Sequence, residues 1–258
     1  MTARAALTRL WPDPDGQPLD TEALIELYAR TEHPSLQVNF VTSVDGAVEL
    51  EGYSAGLSNE PDKRVFGVLR MLCDALLVGA GTLRQEQYKA LRLDERRRAW
   101  RREHDLAEFP TLVVVSRSLD LDPTQGAFAG APVRPLVLTT AAATVPARLA
   151  AVADVVRAGE TEVDLRLALA ELHARGHRQL LSEGGPQLFG SLTAAGLVDE
   201  VCLTVAPLLA GAGAGRITAG PPSAPRGLTL RHVLAAESML LLRYGRDAAP
   251  RSGHSGTG

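Results

Sequence analysis

The chain is poor in the features that tie a protein to a disulfide framework, a metal, a membrane or a nucleic acid. It has two cysteines in 258 residues. Cys73 and Cys202 lie in separate apolar segments, outside any C-x-x-C or Cys/His ligand spacing. Neither a disulfide framework nor a structural zinc site is expected, and both thiols read as reduced and buried in a cytoplasmic protein. The histidines (His33, His104, His173, His177, His232 and His254) form no H-E-x-x-H and no close triplet, so no metal site is expected. No stretch approaches the roughly 18 apolar residues of a membrane span, and residues 1–17, with Arg4 and Arg9, lack the apolar core of a secretory signal. Net charge is −3. The concentrated basic run, Arg96-Arg97-Arg98 with Arg101-Arg102, is broken by Glu95, Glu103 and Asp105, and reads as the solvated face of a helix or loop rather than a nucleic-acid track. Also missing are G-x-G-x-x-G after the first strand, G-x-x-x-x-G-K-[ST] and G-x-S-x-G, which disfavours a Rossmann domain, a P-loop and a nucleophile-elbow hydrolase.

What is present is an apolar chain, 45% hydrophobic, large enough for a sizeable core. Leu36–Thr42, Ala75–Val78, Thr111–Ser116, Pro135–Thr139, Asp154–Val156, Leu180–Ser182 and Val201–Leu208 read as strands, and Leu228–Leu234 with Ser238–Tyr244 as a closing antiparallel hairpin. Helical spacing marks Thr21–Arg30, with Thr21 as its cap, and also Pro61–Cys73 and Val163–Arg175; Leu83–Glu103 is polar and partly helical. Unbroken apolar runs between helices predict an α/β fold whose mixed, mostly parallel sheet is covered on both faces. Residues 1–34 read as an extension packed on the domain, 35–246 as the domain, and 247–258 as a disordered tail; Gly211–Arg226 is a long loop within the domain.

The richest stretch runs from Leu180 to Leu192, a buried strand, a two-glycine turn and a helix start. Gly184 and Gly185 let backbone amides approach an anion without Cβ clashes, and Pro186 suits a first helical position whose dipole favours a pyrophosphate. Gln187 and Leu188 continue that turn, and Glu183 stands at the mouth of the same cleft. The plainer alternative is a turn that needs glycine for geometry alone. Three other strand ends are polar or glycine-rich: Ser43-Val44-Asp45-Gly46, Gly79-Ala80-Gly81-Thr82 and Ser116-Arg117-Ser118. Parallel strands would set all four on one rim, where such folds bind ligands. Thr82 reads equally as a helix cap. Arg117 is either a surface arginine or a clamp on a phosphate monoester, which on a dinucleotide would be the 2′-phosphate of NADP.

Together these motifs resemble the riboflavin-biosynthesis pyrimidine reductases. The similarity rests on Ser43-Val44-Asp45-Gly46, on Arg70 followed by Asp74 to Thr82, and on Ser182 to Pro186 followed by Gly196 to Glu200 and Ala206-Pro207. It runs in order from about Leu36 to Tyr244. No H-x-E and no P-C-x-x-C is present, so it covers the reductase part of the bifunctional enzymes and not their deaminase. The resemblance implies a dihydrofolate-reductase-like fold, a homodimer, and NADPH-dependent reduction of the ribosyl group of 5-amino-6-(5-phosphoribosylamino)uracil. It also implies site roles. Thr82, Glu86, Ser116 and the turn from Gly185 through Ser191 would meet the cofactor, to which the reading of the strand ends adds Thr42, Gly79, Gly81, Arg117 and Gly184. Ser54, Arg70, Arg92 and Glu183 would meet the substrate, with Glu183, Glu86 or water as proton source. Two departures stand out: Asn39 falls where a lysine is common, and Gly56 where some members have tryptophan. A pterin reductase of the same fold and a non-catalytic NADP-binding protein are the alternatives.

Overall fold

Side chains alternate between the two faces of the short, apolar central strands, so each strand feeds two core layers. The computed structural model describes residues 6–14 and 16–246. In chain order the elements are β1 (Thr8–Trp11), α1 (Thr21–Leu27), β2 (Ser35–Ser43), α2 (Glu60–Leu72), β3 (Ala75–Gly79), α3 (Ala80–Gln85), α4 (Glu95–Glu103), β4 (Thr111–Val115), α5 (Gly126–Ala129), β5 (Leu136–Thr139), α6 (Ala147–Ala150), β6 (Asp154–Arg157), α7 (Leu165–Ala174), β7 (Gln179–Ser182), α8 (Pro186–Ala194), β8 (Glu200–Ala206), β9 (Thr229–Ala236) and β10 (Met239–Gly245). A short 3-10 turn spans Ser54–Leu57. Leu76 and Val78 of β3 join Val65, Leu69 and Leu72 of α2 in one layer. Ala75 and Leu77 join Leu165, Leu169 and Leu172 of α7 and Leu188 and Leu192 of α8 in the other.

The strands form one sheet of order β1-β9-β10-β8-β2-β7-β3-β4-β5-β6. From β8 to β6 every neighbouring pair is parallel, while β10–β8, β10–β9 and β1–β9 are antiparallel. The mixed, mostly parallel sheet and its late hairpin are those expected. The hairpin turns at Glu237 and Ser238, both at positive φ, the geometry that matches strand twist. Because β2, β7, β3 and β4 run parallel, the four polar strand ends share one rim.

Three details differ from the sequence reading. Residues 8–11 form an edge strand of the sheet, paired with β9. The cap of α1 is Asp20, not Thr21, because Asp20 accepts from the Ala23 amide at 2.8 Å. Arg101 is not part of a solvated face: it is fully buried and donates to the carbonyls of Met71, at 2.7 Å, and Cys73, at 2.6 Å. Burial lowers its pKa, and carbonyl acceptors rather than a carboxylate hold it. The rest of the run does lie on an exposed surface, in ion pairs with Asp94, Glu95, Glu108 and Glu22. The expected tail, residues 247–258, lies outside the described residues. Among the described residues, no helix is long and apolar enough to cross a membrane.

Candidate active site

The rim is built where β7 hands over to α8. Gly184 has φ +81°, and a Cβ there would lie 2.5 Å from Cζ of Phe40 on β2. A Cβ on Gly185 would overlap the Thr82 hydroxyl on α3. Both positions therefore demand glycine for close approach, and Gly184 for backbone angle as well. The Gly79 amide donates to the Gly184 carbonyl at 2.8 Å and locks the turn to β3. Helix α8 begins with Pro186 and has no side-chain cap, which leaves its first-turn amides for a ligand. Thr82 caps nothing: the N-cap of α3 is Gly79, and Thr82 sits inside the helix.

Two clefts meet at this corner. One, of about 490 Å³, is lined by Gly79, Gly81, Ser116, Arg117, Gln187, Leu188 and Ser191, and also by Arg84, which sequence reasoning did not single out. The other, of about 270 Å³, is lined by Asn39, Phe40 and Val41 of β2, Ser54, Asp62, Lys63 and Phe66 of the α2 region, and Thr82, Glu86, Tyr88, Glu183, Gly185 and Pro186. An outer pocket shares Ser54, Phe66, Glu86 and Tyr88 with it and adds Arg70 and Lys89. Ser54, Arg70, Thr82, Glu86 and Glu183 are thus brought together. Thr42 is buried and lines neither cleft, because the open wall of β2 ends at Val41. Arg92 points elsewhere and donates to the Gly130 carbonyl at 2.7 Å. Gly56 lines no cleft; its Cβ position abuts Leu50.

At the floor of the second cleft Arg70 grips Glu183 in a fork. Nε donates to Oε1 and Nη2 to Oε2, each at 2.6 Å, and the Tyr88 hydroxyl donates to Oε2 at 2.7 Å. The Glu183 side chain is 3% exposed. Burial works against the Arg70 charge, but the Glu183 carboxylate outweighs it and the guanidinium pKa is raised. Burial, with Glu183 beside it, raises the Tyr88 phenol well above its usual range. The Arg70 guanidinium also lies 4.1 Å over the Phe66 ring. Arg70 therefore has a carboxylate partner within the protein itself. Glu86 accepts from the Ser54 amide at 2.9 Å, fixing the start of the 3-10 turn. In the first cleft Arg117 pairs with Glu162, and both side chains are mostly exposed, at 65% and 73%.

Tyr88, Asp62, Phe66, Lys63 and Lys89 escaped sequence reasoning, since each belongs to a polar loop or an ordinary amphipathic helix. One signal was available: Lys63 and Lys89 are the only lysines in the chain.

A mostly parallel sheet, with a two-glycine turn and an uncapped helix start between two clefts, is the layout of an α/β enzyme. The RibD C-terminal domain family matches residues 34–242. Two archaeal proteins, from Methanothermobacter thermautotrophicus and Archaeoglobus fulgidus, are each described as a 2,5-diamino-6-ribosylamino-4(3H)-pyrimidinone 5′-phosphate reductase. Each is 32% identical to this chain over 69% of its length, covering 80% and 82% of their own. Among solved structures, a pyrimidine reductase-like protein from Corynebacterium diphtheriae superposes with a TM-score of 0.75 at 23% identity, over 89% of this chain and 100% of its own. A riboflavin biosynthesis reductase from Saccharomyces cerevisiae gives 0.60 at 15% identity, over 88% and 99%. These two likenesses speak to the fold. The chain belongs to the RibD C-terminal domain family, whose reductases depend on a pyridine nucleotide.

Proposed function

We propose that this protein reduces the ribosylamino group of a 5′-phosphorylated ribosylaminopyrimidine to a ribitylamino group, in riboflavin biosynthesis, with NADPH. The carrying observation is the corner where the Gly184–Pro186 cradle joins a buried Arg70–Glu183 cleft, in a chain 32% identical to reductases so named. The uracil expected from the resemblance and the diaminopyrimidinone in the relatives' names differ at C2 of the ring; the ribosyl chemistry is the same.

The residues present fit a dinucleotide. Gly185 and the first turn of α8 would hold the diphosphate, Thr82 and Ser116 would flank it, and Arg117 would meet a 2′-phosphate on exchanging Glu162 for it. The bound coenzyme supplies a hydride. Glu183, whose two oxygens both accept hydrogen bonds, serves as a fixed acceptor beside the reacting carbon, and Glu86 delivers the proton. Arg70 has two of its donors on Glu183, so the substrate phosphate turns to Lys89 in the outer pocket, with the remaining Nη1 of Arg70. A homodimer would use the exposed apolar residues Leu10, Trp11 and Leu240 at the antiparallel end. Buried, unpaired Cys73 and Cys202 suit a reducing, cytoplasmic setting.

The test is loss of reduced-nicotinamide absorbance on adding the phosphoribosylaminopyrimidine to purified protein. Turnover with it and not with dihydrofolate is the expected result. A pterin substrate is the second reading, favoured by one observation: Asp62 places a buried carboxylate on a helix inside the cleft. Turnover with dihydrofolate alone would establish that reading instead. Tight NADPH binding without turnover of either would mark a non-catalytic protein.

A further inference from the structure

We propose that Asp62 determines the substrate's ring: its carboxylate accepts from N3–H and the 2-amino group of a 2-amino-4-oxopyrimidine and rejects the 2-oxo ring. The inference rests on the reductase reading above and names the base that reading leaves open.

Charge orients the substrate first. Among the described residues, the cations lining the second cleft and its outer pocket are Lys63, Arg70 and Lys89, and Arg70 is bound to Glu183. The inner cleft also carries Glu49, Asp62, Glu86 and Glu183, whereas the outer pocket sets Arg70 and Lys89 against Glu86 alone. A phosphate dianion belongs at the outer end. The base, joined to the other end of the ribose, then lies toward Asp62.

Asp62 is built to receive it. Its residue is 7% exposed, yet it forms part of the cleft wall. The Ser58 hydroxyl donates to Oδ2 at 2.5 Å and the Thr204 hydroxyl to Oδ1 at 2.6 Å. Each carboxylate oxygen keeps a second acceptor site, so the hydroxyls fix the group without exhausting it. The other acids are engaged differently: Glu183 by the Arg70 fork, Glu86 by the Ser54 amide, and Glu49 by Gln85 at 3.1 Å. Phe66 stands one helical turn after Asp62, lines both cavities, and offers an apolar ring for the pyrimidine to lie against.

The chemistry then discriminates. A 2-amino-4-oxopyrimidine presents two adjacent donors, which two carboxylate oxygens accept in a fork. The 2-oxo ring replaces one donor by an acceptor, setting oxygen against oxygen in a buried site. An asparagine would match the 2-oxo ring, giving its N–H to O2 and its oxygen to N3–H.

The test compares kcat/KM for 2,5-diamino-6-ribosylamino-4(3H)-pyrimidinone 5′-phosphate and for its 2-oxo counterpart, on wild type and Asp62→Asn. Wild type is expected to favour the 2-amino substrate at least about tenfold, and the variant to lose that preference or reverse it. A fall on both substrates with an unchanged ratio would reduce Asp62 to a tie between α2 and Thr204 and overturn the proposal. Should the variant not fold, calorimetric titration of wild type with the two substrates gives the preference directly, and equal affinities overturn it. Equal turnover of both by wild type overturns it while leaving the reductase reading intact; turnover of neither removes both.

Discussion

Two arginines follow the same plan, a guanidinium facing a glutamate beside a cleft, and their surroundings give them opposite work. Arg70 holds Glu183 with two bonds of 2.6 Å, against a carboxylate that is 3% exposed. Arg117 holds Glu162 where both side chains are largely in water. A buried pair cannot release a partner without stranding a charge, whereas an exposed pair exchanges partners at little cost. The first is therefore fixed architecture of its cleft, and the second is a surface pair free to change partners; on the proposed function, a ligand phosphate would be the new partner.

The sharpest way to break this contrast is Arg70→Ala. It leaves Glu183 buried and uncompensated, and should cost on the order of 3–5 kcal/mol in denaturant unfolding, with a fall in kcat/KM of about a hundredfold or more. If its unfolding curve matched that of Arg117→Ala, the distinction would collapse. Next in size is Lys89→Ala, which tests whether the phosphate bypasses Arg70. KM for the phosphorylated substrate should rise about tenfold, with no change for the dephosphorylated one in steady-state kinetics. Arg117→Ala should weaken NADPH about tenfold by fluorescence titration, leave NADH unaltered and leave the denaturation midpoint in place. Equal losses for both coenzymes would remove the 2′-phosphate assignment. The smallest effect belongs to Glu162→Gln: NADPH should tighten about twofold to threefold, more at low salt than at high, since the exposed competitor is gone.

The turn from β7 into α8 was legible because its geometry is local. Glycine pairs, Pro186 at a helix start and a preceding apolar strand occupy seven consecutive residues, Leu180 to Pro186, and the structure gives each the geometry it announced. The parallel direction of β2, β7, β3 and β4 followed from strands separated by helices, though not their order, in which β7 stands between β2 and β3. What remained hidden depends on partners distant in sequence. Arg70 and Glu183 each stood out, but their union requires α2 to pack beside β7 across 113 positions. Asp62 looks like any acid in the first turn of a helix, and only Thr204 on β8 and the cleft reveal more. Arg101 sits in a run whose neighbours are all exposed, and its burial is decided by carbonyls at the end of α2. The strand at residues 8–11 is four residues long and has no alternation strong enough to announce it.

That short strand has a consequence for assembly. Thr8 pairs with Ala235, so the sheet is finished on one side by joining positions near opposite ends of the described chain. Nothing can dock there until the last hairpin has formed, which makes this seam among the latest contacts to close. Until then β9 presents a bare hydrogen-bonding margin, and a protein trimmed of its opening dozen residues would keep that margin open to strands of other molecules.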